Sequence, residues 1–335
     1  MSVNNKINKN IAFPKFEDIK VSTKTFTAMT NLKIEIKDLF EKLPITPYVI
    51  IPKKRGRKKK CEQINYNENV KAGSIITIKY EGKIRGVENK VKKKNNKDSK
   101  NAKWFRNSIT IVIMLDKAIN FKICRNGTFQ MTGCKTHEHA ELCVKYIWDY
   151  IKEEPSMYSF NRKPKNPDVD FEILFIPSMR NIDFSLGFLV DREKLNLYMS
   201  PYSPNNYLTK LSIDEKCTKD SDFHCLLETS FGYTGVNIKI PLSRNIADMG
   251  IKKLSYGCKD GWVENWTTYN EYLDLLPQKD RDLKISHTRY NTFLVFQSGR
   301  CIMSGITSKF MKDSYYYFLD IMKDGYDVIE ERLDA

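Results

Sequence analysis

Paired metal ligands, long apolar runs and a surplus of acid are all missing from this chain of 335 residues. Its eight cysteines (61, 124, 134, 143, 217, 225, 258 and 301) contain no Cys-x-x-Cys pair, which argues against a zinc framework and leaves them as small apolar residues on strands and helices. No signal peptide opens the sequence and no apolar stretch approaches about 18 residues, so the expectation is a protein that is not secreted, spans no membrane and works in a reducing compartment. Catalytic patterns are equally thin. His137-Glu138-His139 opens a helical segment, where side chains two residues apart diverge by about 200°, a poor chelate; a solvated helix start is expected there. His224 and His287 lack a Ser or Cys partner pattern, and Gly232-Tyr233-Thr234-Gly235 lacks the lysine and spacing of a phosphate loop. The sequence therefore leads us to expect no catalytic residues, cofactor, metal or small-molecule substrate.

What the chain does have is a repeat. Residues 121 to 133 (FKICRNGTFQMTG) and 293 to 305 (FLVFQSGRCIMSG) align without a gap at an offset of 172, pairing Phe121 with Phe293, Gly127 with Gly299 and Gly133 with Gly305. Each copy reads as strand, glycine turn and strand, running into a helix over 136–151 or 308–322. A backward extension at an offset of 150 pairs Met29, Asn31 and Leu32 with Met179, Asn181 and Ile182, and a two-residue slip then pairs the Glu-Lys-Leu ending at Leu43 with that ending at Leu195. Strand-like runs at 74–80, 108–115 and 231–242 fill the interval. The expected division is a first repeat over 1–152, a linker over 153–170 and a second repeat over 171–335.

Period-two reading of the hairpins separates two faces. Phe121, Ile123, Phe129 and Met131, and in the second copy Phe293, Val295, Cys301 and Met303, should bury against the apolar stripes of the two helices. The opposite face carries Lys122, Cys124, Asn126, Thr128, Gln130 and Thr132 in copy one, and Leu294, Phe296, Ser298, Arg300, Ile302 and Ser304 in copy two. A wet face seldom gathers Leu, Phe and Ile, so this one reads as a binding surface, with cover by another layer of the chain as the alternative.

The duplicated half-unit, with Met-Thr-Gly or Met-Ser-Gly ahead of an amphipathic helix and Phe296-Gln297-Ser298-Gly299-Arg300 in copy two, resembles the TATA-binding protein family. In its divergence, its inserts and the run from Met179 to Phe188 it is more similar to the members found in large nucleocytoplasmic DNA viruses, and abundant Asn, Lys, Ile and Tyr suits such an AT-rich genome. The resemblance covers about 210 residues outside the insertions and rests on the repeated arrangement rather than on one motif. It implies an α+β fold: a tandem pseudo-twofold saddle, a curved antiparallel sheet with helices on the convex face. It also implies a general transcription initiation factor that binds AT-rich, TATA-like promoter DNA in the minor groove, bends it with aromatic wedges, and recruits a B-type initiation factor and a multisubunit RNA polymerase. The family is itself a standard instance of minor-groove kinking. The implied location is the nucleus or a viral factory in the host cytoplasm.

Carried over by position, Phe296 takes the second-repeat wedge, and Tyr233, in the run that includes Val236 and Lys239, its partner. In the first repeat the wedge positions fall on Cys124 and near Ile109, with Trp104 or Phe105 as substitutes. The carboxamide positions of the family's first strands fall near Thr23, with Thr25 beside it, and Phe175; Thr132 and Ser304 keep its hydroxyls. A preference different from the usual element is expected, although the minor groove distinguishes little beyond A·T from G·C.

Charge is concentrated. There are 56 Lys plus Arg against 41 Asp plus Glu, a net +15. Two insertions, 52–60 and 87–106, hold most of it, and such blocks bind polyanions by releasing counterions. The segment Pro52 to Lys60, with Arg55, Gly56 and Arg57 at its centre, resembles an AT-hook without the usual second proline; a nuclear import signal or electrostatic tether is the rival reading. An insertion near 243–285 carries Tyr256, Trp262, Trp266, Tyr269 and Tyr272, which fits either a packed subdomain or a partner-docking surface. Three other functions stand as alternatives: a single-strand or RNA binder that stacks bases on Phe296 and Tyr233, a substrate-binding accessory domain of a nucleic-acid enzyme, and a protein-only scaffold.

Overall fold

A computed structural model describes residues 12–50, 67–87, 106–164, 166–199, 224–228, 235–242 and 245–332, with 224–228 followed in backbone only. It is an α+β structure dominated by antiparallel strands, and the chain divides into two compact units that do not coincide with the sequence division at 152 and 171. One, here the first unit, comprises Lys24–Ser178 with Asp248–Leu273; the second comprises Met1–Thr23, Met179–Ala247 and Asp274–Ala335. Among the described residues no helix is long and apolar enough to cross a membrane.

In chain order the strands are β1 (Val21–Thr30), β2 (Leu32–Ile34), β3 (Ile75–Tyr80), β4 (Lys83–Gly86), β5 (Ser108–Met114), β6 (Ala118–Cys124), β7 (Thr128–Cys134), β8 (Tyr158–Phe160), β9 (Phe171–Ser185), β10 (His224–Glu228), β11 (Gly235–Pro241), β12 (Gly250–Gly257), β13 (Gly261–Thr268), β14 (Tyr290–Phe296) and β15 (Arg300–Gly305). In the first unit the ladder runs β4-β3-β5-β6-β7-β1. There too the start of β9 pairs with β12, and β12 with β13. In the second unit it runs β10-β11-β14-β15 and on to the end of β9. The Pro- and Asn-rich stretch after residue 152 is ordered in part, since β8 pairs with β2.

Alternation decides what each hairpin buries. Phe121, Ile123, Phe129 and Met131 are buried in the first unit, as are Phe293, Val295, Cys301 and Met303 in the second, as their spacing predicts. Over the first set lies the helix His137–Ile151, whose N-cap Thr136 accepts a hydrogen bond from His139 N–H at 3.2 Å. Over the second lies Ser308–Asp324, and Phe318 stacks on Phe293 at 4.2 Å between ring centroids.

The repeat extends beyond the hairpins, at a different offset from the one the sequence suggests. Thr30 N–H donates to Gly127 O and Ile34 N–H to Arg125 O, while Leu186 N–H donates to Gly299 O and Val190 N–H to Gln297 O. These bonds equate Thr30 with Leu186 and Ile34 with Val190, an offset of 156, and align the short helices Ile36–Lys42 and Arg192–Met199. The offset of 150 through Met29 and Met179, and the slip to Leu195, are overturned. Asn31, one of those anchors, is a buried carboxamide: its Oδ1 accepts from Glu172 N–H, and its Nδ2 donates to Arg162 O and Asp170 O.

Each unit is completed by chain from elsewhere in the sequence. Phe16 joins the second core, and Tyr315 Oη donates to Pro14 O at 2.7 Å. Within the first unit the insertion's Tyr256 and Trp262 pack on Trp148 and Phe171, and Lys252 Nζ meets Glu141 Oε1 at 2.6 Å.

Candidate nucleic-acid interface

Opposite each helix-covered core, the same alternation presents a second row of side chains. In the first unit β6 and β7 present Lys122, Cys124, Thr128, Gln130 and Thr132, with Asn126 in the turn; none of them is buried. Thr25, Thr27 and Met29 extend the row on β1, where Thr27 pairs with Gln130 and Met29 with Thr128. The Thr27 and Ser178 hydroxyls lie 2.9 Å apart, and Asn126 Oδ1 accepts from Thr128 N–H, which holds the turn. In the second unit Leu294, Phe296, Ile302 and Ser304 are half-exposed and Ser298 and Arg300 exposed. Among the described residues, the face that the hairpin alternation assigns to solvent is thus left at least partly exposed in both units.

Three assignments fail. Ile109 pairs with Ile123 and Val236 with Val295, so both side chains lie in the cores, each fully buried. The cause is parity: on β5 the uncovered face belongs to Ser108 and Thr110, and on β11 to Asn237 and Lys239. Phe175 is also buried, opposite Lys252 on β12. The carboxamide on β9 that lies opposite the second hairpin is Asn181, paired with Ser304, and its repeat equivalent is Thr25. Thr23 is half-exposed and belongs to the second unit. Arg55, Gly56, Arg57, Trp104, Phe105 and Tyr233 lie outside the described residues.

Sequence reading also missed Asp183 and Ser185 on β9. Asp183 lies opposite Ile302 and puts one exposed carboxylate on the second face. Its alternation with buried Ile182 and Phe184 was a usable signal.

Shallow depressions sit at matching places on the two faces. In the first unit a space of about 650 Å3 is bordered by Lys33, Ser108, Lys122, Cys124, Arg125 and Gln130. In the second a space of about 560 Å3 is bordered by Asp183, Ser185, Phe296, Ser298, Arg300 and Ile302. Burial pushes the Cys124 thiol above its ordinary pKa, against the pull of Lys122, so it stays a protonated, weakly polar group. His137 and His139 depart from the solvated helix start expected of them. The His137 ring lies 4.5 Å from that of Phe26, and His139 Nε2 lies 3.1 Å from Asp116 Oδ1.

No protein-family model matches the chain. It is 27% identical over 250 residues to uncharacterized protein 335L of Invertebrate iridescent virus 6, covering 69% of this chain and 65% of that one. It is 26% identical over 195 residues to a TATA-box-binding protein-like protein of Acanthamoeba polyphaga mimivirus, covering 52% and 47%. The chain thus spans less than two thirds of the length of either relative. Among solved structures it is similar to Methanococcus jannaschii TBP, with 12% identity and a TM-score of 0.38 over 93% of this chain and 99% of that one. The chain resembles the TATA-binding-protein-like proteins of large DNA viruses.

Proposed function

We propose that this chain is a non-catalytic DNA-binding factor of transcription initiation that engages the minor groove of AT-rich promoter DNA through the uncovered faces of its two units. One observation carries the reading: Leu294, Phe296 and Ile302 stand together, partly exposed, on a sheet face that is not packed into a core among the described residues, while the other face of the same strands is fully packed. Apolar side chains of this kind unstack base steps when pressed into a minor groove, and Arg300 and Ser298 beside them suit phosphate and groove-edge contacts. Its similarity to a viral TATA-box-binding protein-like protein supports a DNA-binding role. The saddle and the twofold relation of the repeats belong to this proposal, as do recruitment of a B-type initiation factor and a multisubunit RNA polymerase and action in the nucleus or a viral factory. The basic insertions at 52–60 and 87–106 add a salt-sensitive grip, whether as hook or as tether.

The test is Phe296→Ala on an AT-rich duplex labelled for fluorescence transfer. The bend should fall far more than the affinity, because stacking shapes the duplex while cations hold it. Equal loss of both, or a wild-type preference for the matching single strand at equal salt, would turn the reading toward a single-strand binder.

A further inference from the structure

The two uncovered faces occupy equivalent places in the repeat and differ residue for residue in what they can do to a base step. Cys124 faces Ser108 as Phe296 faces Gly235, and Lys122 faces Gln130 as Leu294 faces Ile302. Three apolar side chains of the second unit are therefore replaced by a lysine, a thiol and a carboxamide in the first. Unstacking needs a rigid apolar body that takes the place of the neighbouring base. Phe296 has one, and Cys124 ends after a single sulfur. Lys122 and Gln130 instead carry hydrogen-bond donors that match the acceptors on the floor of an A·T minor groove. Arg125 and Lys33, at the rim of the same depression, are suited to phosphate.

From this inequality we infer that the second unit unstacks a base step and the first unit does not, so that the protein kinks its duplex once and grips the rest by hydrogen bonds and charge. The inference rests on the groove-binding reading above and goes beyond it, since that reading alone would allow both repeats to unstack.

Permanganate oxidation of thymines in an AT-rich duplex bound by the full chain counts unstacked steps directly. One hyper-reactive step is expected in the wild type. It should disappear with Phe296→Ala, while Cys124→Phe, which puts a ring into the first unit's open depression, should add a second step and increase the bend. Two equal steps in the wild type, no such step on a bound duplex, or survival of the step in Phe296→Ala would each overturn the inference. So would a Cys124→Phe protein with unaltered denaturation midpoint that adds no second step. Failure to bind duplex at all is a separate result, seen as the absence of any footprint, and it removes the parent reading together with this one.

Discussion

Gly299 and Gly133 share a left-handed backbone, at φ +73° and +75°, yet an added methyl group would meet different surroundings. Among the described residues it meets nothing within 4 Å at Gly133, whereas at Gly299 it would collide with the carbonyl oxygen of Phe188. Gly133→Ala should cost only the left-handed strain, about 1–2 kcal/mol. Gly299→Ala should cost clearly more, because its turn is pressed against the backbone that follows β9. Urea denaturation compares the two, and equal losses would show that the turn can retreat from Phe188. His137 sets a pH dependence. Desolvation, helped by Lys24, lowers its pKa below the ordinary histidine value. The unfolded chain therefore takes up the proton first as pH falls, so the stability His137 supplies is present above about pH 6.5 and is lost as pH drops through its lower folded value. Urea midpoints measured from pH 7.5 downward should show that loss, and His137→Leu should flatten it.

The hairpins, the helices that follow them and the uncovered face were legible because each follows from a local period of two or 3.6. Ile109 and Val236 were misplaced for want of strand register, since one residue of slip exchanges the faces. The backward extension failed because a Met-x-Asn coincidence outweighed the true match, in which Ile34 and Val190 are both buried and donate to the equivalent carbonyls of Arg125 and Gln297. The aromatic insertion was unreadable in another way. Tyr256 pairs with Phe171, a contact that no local pattern announces, while Trp266 on the same hairpin remains 65% exposed. Trp148 ties that hairpin in, with Phe171 stacked at 4.3 Å and Tyr256 at 5.8 Å. Trp148→Ala should therefore cost about 3–5 kcal/mol in the first unit.

Among the described residues the buried side chains form two clusters: one gathers Phe121, Phe129, Trp148 and Phe171, the other Phe184, Phe293, Tyr315 and Phe318. Unfolding followed by calorimetry should accordingly resolve two transitions, with Trp148→Ala lowering one and Phe318→Ala the other. A single transition lowered equally by both would mean that the units melt as one. The exchange of segments between the repeats has a temporal corollary. During synthesis the aromatic layer around Trp148 stays open until Tyr256 and Trp262 have left the ribosome, although most strands of that unit emerge more than a hundred residues earlier. The Phe16 segment likewise has no helix to lie on until Tyr315 is translated, so its apolar surface stays open while everything between the two is made.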